Sequence, residues 1–396
     1  MNFTSLVSNG GIFCDGDWIE KKDQDPNGAV RLIQLADIGI CEFKDKSSRY
    51  ITEDKGSELN CTYLQKGDIL IARLPEPLGR ACIFPLEGKY ITAVDIAIVR
   101  IPHKDVSPKY VMYMINSPQF RNEIKKYESG TTRKRISRKN LDRIEFDVPS
   151  ISEQERIVAR IEELFSQLDS GVETLKRIKQ QLAVYRQAVL KEAFKSVDKK
   201  HPIRDMTSLV TSGSRGWAKF YANEGARFIR ITDLTRDKIC LKNDNIQYVL
   251  LPGDAEGKRS RLVENDVLVS ITADLGSIAL IPKTIGEAYI NQHIAMIRFN
   301  NPTQGEYMAW YLKSDFGQKD LLKNKRGGGK LGLGLDDIRD TPVPVVSDDE
   351  AKSILELIAS RMSVCDSIEK TVDVALQQAE AMRQSILKKA FEGGVM

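Results

Sequence analysis

The chain says nearly the same thing twice. Arg186-Gln187-Ala188-Val189-Leu190-Lys191-Glu192-Ala193-Phe194 returns 197 residues later as Arg383-Gln384-Ser385-Ile386-Leu387-Lys388-Lys389-Ala390-Phe391. Nearly the same shift pairs Arg31-Leu32-Ile33-Gln34-Leu35-Ala36-Asp37-Ile38 with Arg227-Phe228-Ile229-Arg230-Ile231-Thr232-Asp233-Leu234, Gly79 and Pro85 with Gly276 and Pro282, Ser117 with Ser314, and Leu141 with Ile338. Solenoid units repeat every roughly 20–50 residues. A period this long therefore means a duplicated domain and two related working surfaces held at a fixed separation.

Each half reads as a mixed α/β block followed by one long helix. The predicted boundaries are 1–150 for the first block, 151–196 for a central helix, 197–347 for the second block and 348–393 for a C-terminal helix. Leu32 to Leu35, Asp68 to Ala72 and Ile96 to Val99 are short apolar, β-branched-rich runs bounded by turn residues, hence strands. Phe228 to Ile231, Asp266 to Ser270 and Ile294 to Ile297 are their counterparts. Tyr110 to Lys126 and Tyr307 to Lys323 carry apolar residues at helical spacing, so each block should end with a helix and then a Gly-containing loop. Pro149 and Pro342-Val343-Pro344 close the blocks.

The long helices carry heptads. Ser152-Glu153-Gln154-Glu155 reads as a cap with an acidic first turn. Sevens counted from Ile161 give Leu168, Leu175, Leu182 and Val189, with companions Ile157, Leu164, Gly171, Ile178 and Tyr185. The second helix gives Ile358, Cys365, Val372, Ala379 and Ile386, with companions Ile354, Arg361, Ile368, Ala375 and Met382, so Arg361 breaks its seam. Seams of this length ask for a helical partner, and the other copy is the nearest one. The expected architecture is α+β: two similar α/β domains separated by two long helices that pair as an antiparallel coiled coil.

Hydrophobic content of 41%, charged content of 29% and net charge of +4 describe an ordinary soluble protein. The distribution of charge is more informative. From Arg121 to Arg143 there are nine Lys or Arg against three acids. Arg133, Lys134, Arg135 and Arg138 lie in the loop near the end of the first block, and Lys323, Lys325, Arg326 and Lys330 occupy nearly the same place in the second. Cations on a loop with glycine amides suit phosphate oxygens, and their recurrence at equivalent positions points to nucleic acid. Other candidate DNA contacts lie on loops: Lys21 and Lys22 near Trp18, Arg73 and Arg80 after a predicted strand, Ser214, Arg215 and Lys219 around Trp217, and Thr272. Trp18 and Trp217 themselves read as packing residues. Between the copies the frames match and these loops diverge, as two surfaces reading different base sequences would need.

No catalytic motif stands out. Gly327-Gly328-Gly329-Lys330-Leu331 lacks the spacing of a phosphate-binding loop, and Leu331 stands where Ser or Thr should hold magnesium. There is no Asn/Asp-Pro-Pro-aromatic motif for an extruded base. The six cysteines are scattered and read as free thiols, not a disulfide framework or a metal site. His103, His201 and His293 stand far apart and read as core or surface residues. Asp336-Asp337 and Asp348-Asp349 read as helix or turn starts. No leader and no long apolar run is visible, so a cytoplasmic chain without a membrane span is expected.

With these features together, the chain resembles the specificity (DNA-recognition) subunit of type I restriction-modification systems over essentially its whole length. The resemblance rests on Ser152-Glu153-Gln154-Glu155-Arg156-Ile157, on the Arg-Gln-x-[Val/Ile]-Leu-Lys-x-Ala-Phe ending of both helices, on Lys66-Gly67-Asp68-Ile69-Leu70-Ile71, and on Gly213-Ser214-Arg215-Gly216-Trp217. It implies that each block reads half of a bipartite, asymmetric double-stranded DNA target while the helices set the spacer. It also implies docking of two methyltransferase subunits carrying S-adenosylmethionine, joined by motor-nuclease subunits using ATP and Mg, with no cofactor on this chain and no catalysis by it. The second copy departs from the family pattern at Ser347-Asp348-Asp349-Glu350 and at Arg361. The rival reading is a bipartite DNA-binding regulator without such partners.

Overall fold

The computed structural model describes residues 1–392 apart from 76, 198, 252–256 and 328–330. The chain divides into two compact units: Met1–Thr174 with Val374–Met396, and Leu175–Asp373. Each unit therefore takes part of both long helices, Ile151–Ala193 and Asp348–Phe391, which at 43 and 44 residues run about 65 Å each.

In the first unit, Ile69–Ala72 is flanked by Ala81–Ile83 and Ile96–Arg100, and Ile12–Asp15 extends the antiparallel sheet beyond Ile96–Arg100. Successive side chains of a strand point to opposite faces, and both faces of this sheet are covered. Ile69, Ile71, Ala97 and Val99 pack with the helices, whereas Leu70, Ala72, Ile96 and Ile98 join Ile33, Ile38, Leu64 and Phe84 in a second core. That is why the strands read as unbroken apolar runs. A three-stranded sheet lies beyond, with Val30–Ile33 parallel to Tyr90–Thr92 and antiparallel to Arg49–Ile51.

The second unit repeats this. Val267–Ser270 pairs with Ile278–Leu280 and Ile294–Phe299, Thr207–Ser212 extends the sheet, and Ala226–Ile229 is parallel to Ala288–Ile290. Bidentate ion pairs brace equivalent points: Arg100 on Asp68 at 2.7 Å and Arg298 on Asp266 at 2.8 and 2.7 Å.

Some local expectations shift. The strand expected at Leu32 to Leu35 is Val30–Ile33, because Gln34 N–H donates to Asp37 Oδ2 (2.7 Å) and starts a short 3-10 turn; Arg230 and Asp233 do the same after Ala226–Ile229. Each block-terminal helix is two helices. Pro108–Asn116 and Pro118–Lys126 meet at Ser117, and Gln304–Lys313 and Asp315–Leu321 meet at Ser314, where an extended serine caps the second helix. The central helix starts at Ile151, with the Ser150 carbonyl accepting from Glu153 and Gln154, so Ser152 lies inside the first turn rather than capping it. Gln154 is buried there, donating to the carbonyls of Asp105 and Pro149 and accepting from Ser107 N–H. The second helix forms its own capping box, Ser347 with Glu350, and those hydrogen bonds hold Glu350 below the usual carboxylate range.

Within each unit the two helical segments run antiparallel. In the first, Ile161 and Phe165 share a core with Leu387 and Ala390, and Asp169 pairs with Arg383. In the second, Lys179 pairs with Asp373 (2.8 Å), Arg186 with Asp366 (2.5 Å), and Val189, Leu190 and Ala193 pack with Ile358 and Met362.

In one heptad column Ile161, Leu168, Leu175, Leu182 and Val189 are buried or half-buried, as are Ile358, Cys365, Val372, Ala379 and Ile386. The other column is corrected by one residue. Tyr185 (43% exposed), Ile368 (41%) and Met382 (54%) face outward, while Arg186, Glu369 and Arg383 turn in. Ile157, Leu164, Ile178 and Ile354 stay half-buried at the seam's edge. Because the true companion is Met362, the exposed Arg361 does not interrupt the second helix's packing.

Candidate nucleic-acid interface

In the first unit three loops converge at the end of strand Ile12–Asp15. The Asp15 carboxylate faces the guanidinium of Arg73 at 3.4 Å and that of Arg138 at 3.6 Å. Arg138 also donates to the Phe13 carbonyl (3.2 Å) and lies 5.6 Å over the Phe13 ring. Ile136 N–H donates to the Arg73 carbonyl (3.1 Å), fastening the basic loop to the turn after strand Ile69–Ala72.

The basic loop is closed by its backbone. Ser129 and Arg135 exchange both N–H···O bonds at 2.8 Å. Gly130 sits at φ +98°, where a Cβ would lie 2.4 Å from the Arg133 carbonyl, so only glycine fits. Arg133, Lys134 and Arg135 are exposed at the tip, with Lys134 paired to Glu128. Beneath it a groove of about 1030 Å³ is lined by Pro77, Leu78, Arg121, Arg133, Lys134 and Gln384. Burial lowers the Arg121 pKa to about 10, and its guanidinium donates to the Leu78 carbonyl and to Asn116.

The second unit makes the same closing bonds at equivalent positions. Arg326 and Gly332 exchange backbone bonds of 3.0 and 2.8 Å, and Leu333 N–H donates to the Ile271 carbonyl (2.9 Å). Lys325 and Arg326 are exposed, with the Arg326 guanidinium 2.5 Å from Asp337; Lys330 lies outside the described residues. Burial opposes ionisation of Asp337, but Gly334 N–H and Arg326 outweigh it and keep its pKa low. Thr272 sits in the neighbouring turn with its hydroxyl 2.6 Å from His293 Nδ1, and His293 Nε2 is 2.8 Å from the Gln292 amide.

The remaining predicted residues divide. Lys21 and Lys22 are exposed beside Trp18, and Lys22 pairs with Glu20 at 2.8 Å. Arg215 is exposed, Ser214 is half-buried, and Lys219 lies 4.6 Å over the Phe220 ring. Arg80 is a correction. It is 7% exposed, and its guanidinium donates to the carbonyls of Ile38, Leu35, Leu74 and Pro77, so it braces the fold instead of offering donors to DNA. Arg73 is half-spent, its guanidinium donating to the Val94 carbonyl. Trp217 packs as expected, 4.8 Å from Phe228, but Trp18 does not; it is 70% exposed. Neither the exposure of Trp18 nor the Thr272–His293 contact is legible in the sequence, since both depend on distant strands.

Among the described residues no cluster of His, Cys, Asp and Glu could hold a metal ion, and no helix is long and apolar enough to cross a membrane. The geometry offers two cationic, backbone-closed loops on a common frame, with different side chains on the neighbouring turns.

The chain is 26% identical over 309 residues to the type I restriction enzyme EcoBI specificity subunit of Escherichia coli, covering 70% of this chain and 64% of that protein. It is 26% identical over 312 residues to the StySPI specificity subunit of Salmonella potsdam, covering 74% and 66%. The chain thus spans just under two thirds of the length of these curated relatives. A solved chain from a study of assembly and conformational transition of the type I R-M system has the same fold, with a TM-score of 0.69 at 15% identity, over 98% of this chain and 99% of that one. The profile of the type I restriction modification DNA specificity domain matches residues 10–183 and 214–378, more than half of the sequence, and the chain belongs to that family.

Proposed function

We propose that this chain is the sequence-reading subunit of a type I restriction-modification complex, each unit recognising one half of a bipartite, asymmetric DNA target in the cytoplasm. The observation that carries the reading is the pair of equivalent loops, Ser129–Arg135 and Arg326–Gly332, closed by the same backbone bonds and carrying different cations. A shared frame fixes how each unit meets the phosphates, and divergent turns select the bases. The names of its relatives point the same way.

On this reading the chain selects and its partners react. Two methyltransferase subunits dock against the long helices, bringing S-adenosylmethionine to adenine N6, and motor-nuclease subunits bring ATP and Mg. Arg133, Lys134, Arg135, Lys325, Arg326 and Lys330 contact phosphates. Lys21, Lys22, Arg138, Ser214, Arg215, Lys219 and Thr272 add base or sugar contacts, with Arg73 beside Arg138 at Asp15.

The test is duplex binding by the purified chain with and without its cognate methyltransferase subunit, across a salt series. The reading predicts selection of one split motif from a random duplex library, sharpened by the methyltransferase, with affinity falling steeply as salt rises. Salt-insensitive association, or a contiguous motif, would refute it.

A further inference from the structure

We propose that Trp18 is a DNA-contacting residue of the first unit, pressing the apolar surface of its indole against a base in that unit's half-site. The inference rests on the DNA-reading role proposed above and assigns a residue to it.

Single exposed hydrophobic side chains are common and mean little alone. Trp18 differs in how it is held. Gly16 N–H donates to the Ile96 carbonyl (2.8 Å) and Asp17 N–H to the Thr92 carbonyl (2.7 Å), so the backbone entering Trp18 is tied to the sheet. The fit allows no side chain at Gly16, where a Cβ would lie 2.3 Å from the Ala93 carbonyl. The Asp17 carboxylate accepts from Thr62 N–H at 3.0 Å. Past Trp18, Glu20 N–H donates to Asp23 Oδ2 (2.9 Å) and Asp23 N–H to the Glu20 carbonyl (3.1 Å) across a short 3-10 turn. The fold fixes this loop yet leaves the indole 70% exposed, whereas Trp217 is 5% exposed.

The ring's one polar group is occupied. Trp18 Nε1 donates to Glu20 Oε1 (3.3 Å), while Glu20 Oε2 holds Lys22 (2.8 Å). What the indole presents outward is therefore an apolar face and edge, which can stack on a base, wedge into a base step or meet a thymine methyl group, but cannot read a base-edge acceptor. Its surroundings carry both signs of charge, with Glu20 and Asp23 beside Lys21 and Lys22. Lys21 and Lys22 are exposed on the adjacent turn. Three residues before Trp18, Asp15 stands where Arg73 and Arg138 converge and where the basic loop is fastened. Lys21 and Lys22 would give phosphate contacts beside the ring's contact with a base, within one loop.

The test uses the full chain assembled with its methyltransferase subunit and a duplex selected by the wild-type complex from a random library. Trp18→Ala should weaken binding about tenfold or more, as expected for removal of one base–aromatic stack, and Trp18→Phe should retain most of the affinity. The salt slope should not change, because indole carries no charge. Iodide should quench Trp18 emission in the free complex and fail to do so with DNA bound. Replacing thymine by uracil in the affected half-site separates a methyl contact, which it weakens, from stacking, which it spares. A Trp18→Ala complex that binds with unchanged affinity and selectivity, at unchanged melting temperature, overturns the proposal. If the wild-type complex selects no duplex at all, the DNA-reading role itself fails.

Discussion

Arg186 of the central helix donates to Asp366 of the C-terminal helix at 2.5 Å, and 197 residues later Arg383 makes the same ion pair with Asp169. The two pairs exchange helices, as the internal duplication requires. Their settings differ. Arg186 is 5% exposed and also reaches Glu369 (3.0 Å), with Lys238 bridging both acids at 3.1 and 3.0 Å. Val172 stands at the position matching Glu369, and Arg383 instead lies 4.9 Å over the Phe165 ring. Arg186→Ala should therefore cost about 1.5–3 kcal/mol, the loss of charged hydrogen bonds in a partly enclosed site. Arg383→Ala should cost about 1 kcal/mol. Chemical denaturation of the two variants checks the order, and equal losses would contradict it.

The shifted heptad column makes a second prediction. Phe165 and Met362, in the shifted column, are buried, so Ala at either should cost about 2–5 kcal/mol. Tyr185→Ala and Met382→Ala, at outward positions, should stay within about 1 kcal/mol of wild type. Thermal melts of the four variants would show the uncorrected column to be right if the losses were reversed.

Asp17 gives a pH dependence. Burial raises its pKa from 3.8 to about 6, against the hydrogen bonds from Thr62 and Cys61. An acid whose folded pKa is raised binds its proton more tightly in the folded state, so its contribution falls as pH rises from about 4 to about 6 and is constant above. Asp17→Asn should raise the melting temperature at pH 7.5 relative to wild type, with the gain shrinking toward pH 4. A gain that grew on acidification would mean the carboxylate is stabilised, not penalised, where it sits.

The basic residues separate by role. Replacing exposed Arg133 and Arg135 with Ala should weaken DNA binding for all sequences and flatten the log–log salt slope by about 0.9 for each phosphate left unneutralised. Arg80→Ala should lower the melting temperature and leave the slope alone, because its buried guanidinium donates to four backbone carbonyls. A salt titration of both variants decides this; a flattened slope for Arg80→Ala would place it at the DNA after all.

The duplication, the central strands and both long helices are legible because each leaves a periodic trace. The central strands sandwiched between two cores are apolar from Ile69 to Ala72 and from Ile96 to Val99, and the helices keep a clean column from Ile161 to Val189. The companion column is ambiguous for a physical reason. Ile157 and Val158, Leu164 and Phe165 are adjacent apolar pairs, so periodicity cannot choose between them. Where only one neighbour is apolar, as at Tyr185 and Arg186, the charged residue turns inward because Asp366 and Glu369 are there to receive it. Arg80 and Trp18 escape sequence reasoning for the same kind of cause: whether a side chain is buried or exposed depends on strands and loops far away in sequence, and composition carries no trace of it.

The most direct test of the central claim is a genome-wide map of N6-methyladenine in the host with the gene intact, deleted, and carrying residues 1–150 from another family member. The account predicts one split motif that disappears on deletion and changes in one half only when the first block is exchanged. A map untouched by deletion, or an exchange that alters both halves together, would contradict two independent reading units.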